Sequence, residues 1–83
     1  MTLRVRLFAS FRQQVGSSAV DIELGAGRRV RDLLAALCQA YPSLGPALER
    51  AMVAVNLEYV GPNFQLGPGD EVALIPPVSG GAA

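Results

Sequence analysis

The stretch Val30-Arg31-Asp32-Leu33-Leu34-Ala35-Ala36-Leu37-Cys38-Gln39-Ala40-Tyr41-Pro42 decides the architecture. Val30, Leu33, Leu34, Leu37, Cys38 and Tyr41 fall at i, i+3, i+4, i+7, i+8 and i+11, one continuous apolar stripe of an amphipathic helix. Arg31, Asp32, Ala35, Ala36 and Gln39 lie mostly on the other side. The stripe assigns Cys38 to core packing. Pro42 stops the helix at or before Tyr41, because a residue preceding proline is pushed out of the α region. Arg29 stands where Ser or Thr would cap the helix, a choice that costs about 1 kcal/mol.

Outward from this helix the pattern changes to period two. On the N-terminal side Leu3, Val5 and Leu7 alternate with Arg4 and Arg6, which predicts a strand over residues 3–8. Val20, Ile22 and Leu24 alternate with Asp21 and Glu23, a second strand. The two are expected to pair antiparallel, with Arg4 and Arg6 facing Asp21 and Glu23, each such pair contributing about 0.2–1 kcal/mol. Residues 9–16 between them read as a connection with one helical turn over 10–15, capped by Ser10. Gly25-Ala26-Gly27 is a turn, without the surroundings of a phosphate-binding loop.

On the C-terminal side residues 42–50 predict a loop with a short helix over 45–49. Residues 52–56 form a nearly all-apolar strand, as expected where both faces are covered. Asn56-Leu57-Glu58 reads as a turn, followed by a brief strand at Tyr59-Val60. Leu66-Gly67-Pro68-Gly69-Asp70 is dense turn chemistry. Residues 71–75 are the last strand, stopped by Pro76-Pro77, which cannot donate ladder hydrogen bonds. The order is β-β-α-(short α)-β-β-β with one main helix. One helix covers one face of a sheet, so the class is α+β: a mixed four- to five-stranded sheet with the first and last strands side by side in parallel. That arrangement is a β-grasp roll, over residues 1–75, with an extended tail over 76–83.

Composition narrows the function. The 83 residues make one domain, 51% apolar and 17% charged, with seven Arg balancing seven acids. No basic excess and only five aromatic residues argue against nucleic acid. No apolar run is long enough to span a membrane, and the alternating N-terminus is not a signal peptide, which points to the cytoplasm. The single Cys38 offers no disulfide and no Cys-rich metal site. The chain has no His and no Lys, so it lacks the commonest general base and any side-chain amine nucleophile. It reads as a non-enzyme. Asp70-Glu71 is a carboxylate pair in sequence only, since successive strand residues face opposite ways; Asp70 is expected to close the turn. Arg28, Arg29 and Arg31 read as a solvated edge.

The tail carries the chemistry. Pro76-Pro77 is stiff and extended, Val78-Ser79 is short, and Gly80-Gly81 has no side chains. Residues 76–81 extended reach roughly 20 Å, a rod with a thin tip able to thread a narrow channel.

The motifs Val55-Asn56-Leu57-Glu58-Tyr59-Val60, Gly69-Asp70-Glu71-Val72-Ala73 and Pro76-Pro77-Val78-Ser79-Gly80-Gly81 resemble the MoaD/ThiS-like sulfur-carrier family, nearest its molybdopterin synthase small subunits. Leu7-Phe8-Ala9-Ser10-Phe11-Arg12 and residues 30–37 extend the resemblance over residues 3–81. It implies a ubiquitin-like domain whose Gly81 carboxylate, following Gly80, is adenylated by an E1-like (MoeB-like) enzyme using ATP and Mg²⁺. A sulfur donor, such as a cysteine desulfurase or rhodanese, then displaces AMP to leave a thiocarboxylate. The resemblance further implies that the tail enters a MoaE-like large subunit, where the sulfur builds the dithiolene of the molybdenum cofactor. No cofactor is bound stably by the carrier itself. Phe8, Tyr59 and Ile75 are implied as the apolar docking patch, Arg12 as a salt-bridging residue, and Pro76, Pro77, Val78 and Ser79 as the inserted arm.

One departure stands out. The family ends at the second glycine, whereas Ala82-Ala83 follow here. An amide at Gly81 leaves no carboxylate to activate, so a peptidase is expected to remove the pair. Two other readings stay open: a carrier for another pathway (cysteine, thiamine or tRNA thiolation), matured by that cleavage, and a ubiquitin-like protein modifier.

Overall fold

The computed structural model describes residues 1–77. Five strands, β1 (Thr2–Leu7), β2 (Ala19–Glu23), β3 (Met52–Val55), β4 (Glu58–Val60) and β5 (Val72–Ile75), form one sheet in the order β2-β1-β5-β3-β4. β1 and β5 are parallel at its centre; every other pairing is antiparallel. Helix α2 (Val30–Ala40) packs across one face. The expected β-grasp roll is therefore the fold.

Period two in β1 translates directly into burial. Leu3, Val5 and Leu7 are at most 2% exposed, while Thr2, Arg4 and Arg6 face water. Leu3 sits opposite Ile22 and Val5 opposite Val20, so the two strands put their apolar sides on the same face. Val53, Val55, Val72 and Leu74 complete that inner layer, and Leu33 and Leu37 of α2 close over it.

The link between β1 and β2 is more structured than a single turn. Helix α1 (Ala9–Val15) fills it, entered through Phe8 in extended conformation and Ala9 at φ 50°. Ser10 does not cap it: Ser10 lies inside the helix, and the cap position is Phe8, which has no side-chain acceptor. Gly16 ends the helix at φ 82°, where its N–H donates to the Arg12 carbonyl at 2.8 Å. The helix exists because Phe11 is wholly buried, among the largest fully buried side chains of the core.

The missing cap of α2 is made good by tertiary contacts. Asp32 Oδ2 accepts from the Arg29 backbone N–H at 2.9 Å. The N–H groups of Val30 and Arg31 donate to the carbonyls of Phe64 and Pro62, both at 3.0 Å. The loop before β5 thus satisfies the orphan donors that an N-cap side chain would have taken. A side chain at Gly27 would displace the capping carboxylate, since a Cβ there would lie 2.7 Å from the Asp32 carboxylate carbon.

At its other end the helix corrects the sequence reading. Cys38 is exposed, not core. At 3.6 residues per turn it stands about 140° round from Leu33, at the rim of the stripe. Leu44, in the 3-10 turn Pro42–Leu44, and Leu48, in α3 (Gly45–Leu48), fill the core instead.

Candidate docking face and tail root

The second face of the sheet carries no helix. Its residues follow from the register. One row across the sheet runs Tyr59, Ala54, Ala73, Arg6, Ala19; the next holds Met52 opposite Ile75. Phe8 continues β1 one residue past the Leu7–Leu74 pair, and its N–H donates to the Leu74 carbonyl at 3.3 Å. It therefore stands beside Ile75.

The open face has two unlike halves. Around β3, β4 and the end of β5 it is apolar: Phe8 is 43% exposed, Met52 37% and Tyr59 64%, with Ile75 half-buried between them. Ala54 and Ala73 form a low floor between Tyr59 and Arg6. Around β1 and β2 the face is charged. Arg4 Nε lies 3.3 Å from Asp21 Oδ1, and Arg6 Nη1 3.9 Å from Glu71 Oε2. Only one of the two expected cross-strand pairings forms, because Arg6 faces Ala19 and pairs with Glu71, the residue before β5, while Glu23 accepts from Thr2 Oγ1 and pairs with the N-terminal amine.

The structure thus brings Phe8 and Ile75 into adjacent positions and sets Tyr59 two strands away on the same face. Met52 lies between them, and sequence reasoning missed it. In an all-apolar strand alternation gives no parity signal; pairing Met52 with Ile75 was needed to see it. Arg12 is exposed on α1, the helix that continues Phe8, and makes no ion pair among the described residues.

Pro76 and Pro77 leave the end of β5 beside a shallow cleft lined by Ser10, Pro46, Ala47, Glu49 and Arg50. The arm therefore starts at the apolar end of the open face. Val78, Ser79, Gly80, Gly81 and Ala82-Ala83 lie outside the described residues. Asp70 and Glu71 share no site. Asp70 Oδ2 accepts from Gly67 N–H at 2.7 Å and Oδ1 from Asn56 Nδ2 at 3.1 Å, closing the turn as expected. Among the described residues no group of His, Cys, Asp and Glu could hold a metal ion, and no helix is long and apolar enough to cross a membrane.

A ubiquitin-like roll whose uncovered apolar face leads into a proline-stiffened arm defines a class: small carriers that work by docking and by presenting a C-terminal group. The model of the ThiS family matches residues 5–81, and this chain belongs to that family. The molybdopterin synthase sulfur carrier subunit of Chlamydomonas reinhardtii is 42% identical over 83 residues, covering 98% of this chain and 100% of that protein. The crystal structure of SAMP1 from Haloferax volcanii superposes with a TM-score of 0.82 at 31% identity, over 96% of this chain and 99% of that one. A complex of subunits 1 and 2 of molybdopterin-converting factor from Helicobacter pylori contains a chain similar at a TM-score of 0.67 and 26% identity, over 96% of this chain and 99% of that one.

Proposed function

We propose that this chain is the sulfur-carrier subunit of molybdopterin synthase, acting in the cytoplasm and delivering sulfur as a Gly81 thiocarboxylate for dithiolene formation. The observation that carries this reading is the full-length similarity to sulfur carrier subunits of that name, joined to an apolar open face that runs into Pro76-Pro77. The family match ends at Gly81, the residue whose carboxylate would be used. Removal of Ala82-Ala83 by a peptidase precedes activation.

The chemistry follows from the weakness of a carboxylate as an electrophile. An E1-like partner forms a bond from a Gly81 carboxylate oxygen to the α-phosphorus of ATP, with Mg²⁺ assisting and pyrophosphate leaving. A persulfide on a sulfur donor then attacks the acyl carbon and AMP departs, leaving an acyl disulfide; a thiol attacks the donor-side sulfur of that bond, forms a disulfide with the donor and releases the Gly81 thiocarboxylate. Phe8, Met52, Tyr59 and Ile75 seat the large subunit, with Arg12 at the margin. Pro76 and Pro77 give the arm a stiff start, and Gly80 adds no side chain beside the thioacid in a narrow channel. The large subunit supplies the catalytic groups for sulfur transfer. This chain supplies sulfur and position.

Intact-mass analysis of the protein from its native cell tests the reading. A chain ending at Gly81 with one oxygen replaced by sulfur is expected. Material that always retains Ala82-Ala83 and never gains sulfur refutes it. A second reading, a protein modifier, is favoured by the similarity to SAMP1, whose relatives are called small archaeal modifier proteins. Gly81 joined through an amide to other proteins in the same extract would select it.

A further inference from the structure

Three of the seven Arg residues, Arg28, Arg29 and Arg31, fall within four positions at the entry to α2, and all three are exposed. Their backbone runs beside the loop that precedes β5. Leu66 N–H donates to the Arg28 carbonyl, Val30 N–H to that of Phe64 and Arg31 N–H to that of Pro62. The two segments make one platform. On it Arg29 Nη1 donates to the Asn63 carbonyl at 3.0 Å, and Arg31 Nη1 to Asn63 Oδ1 at 3.3 Å. Phe64, next in the chain, is 41% exposed.

Stability does not account for these charges. Arginine at the first turn of a helix meets the positive end of the helix dipole, where cations are disfavoured. No acid offsets them: among the described residues none of the three forms an ion pair. The carboxylate nearest in sequence, Asp32, accepts from the Arg29 backbone N–H instead. Two guanidinium groups are thus held at one residue by neutral acceptors, which restrict their positions and leave their charge in place. Each keeps further N–H donors of the kind that match a carboxylate. The backbone N–H groups of Val30, Arg31 and Asp32 are already taken, so the side chains and not the helix end make this surface.

We propose that Arg28, Arg29, Arg31 and Phe64 form a docking surface for an acidic segment of a protein partner, with its carboxylates on the guanidinium groups and one apolar side chain against Phe64. A nucleic acid fits less well. It needs positive potential along several phosphates and a ring for each stacked base, whereas the chain has no net charge and this surface offers one exposed ring. Phe8, Met52, Tyr59 and Ile75 of the open face take no part. The surface lies where the chain approaches β5, and the arm begins where β5 stops. The proposal goes beyond the sulfur-carrier reading and does not depend on it.

The test is an NMR titration of the ¹⁵N-labelled full chain with three acetylated, amidated pentapeptides, EELEE, EESEE and KKLKK, and with octauridylate. Shifts at the amides of Arg28, Arg29, Arg31, Asn63 and Phe64 are expected with EELEE, at an affinity at least about tenfold above KKLKK and about threefold above EESEE. The double substitution R28Q and R31Q is expected to remove the preference for EELEE over KKLKK without lowering the thermal unfolding midpoint. A lowered midpoint would make the arginines structural and overturn the proposal. Equal affinity for EELEE and KKLKK, or shifts confined to other residues, also overturns it. So does tighter binding of octauridylate than of EELEE, which would make this a nucleic-acid surface. Concentration-dependent shifts at the same amides without peptide overturn it as well, since the occupant would then be a second copy of this chain.

Discussion

The two faces of the sheet are built from the same strands and have opposite fates. In β5 Val72 and Leu74 are fully buried beneath α2, while Ala73 and Ile75, one residue away in each case, look outward. In β3 Val53 and Val55 belong to the core and Met52 to the open face. Near β1 and β2 the outward positions carry Arg and Asp, as a solvated face should. Near β3, β4 and β5 they carry Met, Ala, Ile and Tyr. Burial explains the inner face completely. It does not explain Phe8, Met52 and Tyr59, which leave apolar area in water at a single end of one face. A contiguous patch of that kind marks an interaction surface.

The largest effect that would sharpen this contrast is in the core. Leu74→Ala is expected to cost about 2–5 kcal/mol, most of what a domain this small holds, and to bring unfolding into low urea. On the open face Tyr59→Ala is expected to leave the unfolding midpoint nearly unchanged but weaken large-subunit binding by about 2 kcal/mol, read by calorimetry. If Tyr59→Ala unfolds the chain, or Leu74→Ala spares it, the division between the faces is wrong.

Leu57→Gly moves stability the other way. Asn56 and Leu57 form the two-residue tip of the β3–β4 hairpin at φ 52° and 72°, a turn that prefers Asn-Gly. Leu57 is 94% exposed, so no packing is lost on its removal. The substitution is expected to add about 1 kcal/mol and raise the melting temperature by about 4–8 °C. The smallest effect belongs to the charged half. Arg4 and Asp21 are 73% and 59% exposed in their side chains, so Arg4→Gln is expected to change stability by less than about 0.5 kcal/mol, shrinking further in high salt. A larger loss would mean that the charged half, too, is structural.

Much of this was legible in the residues. Alternation in residues 3–7 and 20–24 and the stripe from Val30 to Leu37 gave the elements, because each pattern buries one face whatever it packs against. Pro76-Pro77 marked the end of the sheet, because proline lacks the donor that a ladder needs. The motifs around Tyr59, Asp70 and Gly81 pointed to the family. The exposed apolar patch was legible in part: the resemblance put Phe8, Tyr59 and Ile75 on an open apolar face, and Met52 was hidden inside an all-apolar strand.

The amino-acid sequence alone determined the period of each segment, the stops between segments and the composition of the arm, since these depend on neighbours a few positions away. Only the tertiary structure decided what came from distant parts of the chain. The loop at 61–65 completes the cap of α2 in place of a side chain at Arg29. Leu44 and Leu48 fill the core where Cys38 was expected. Phe11 turns a connection into a helix because a pocket waits for its ring. Register between β3, β4 and β5 assembles Met52, Tyr59 and Ile75 into one surface. Periodicity records which side of a segment is apolar, whereas the partner that covers that side, or leaves it open, is fixed only when the strands meet.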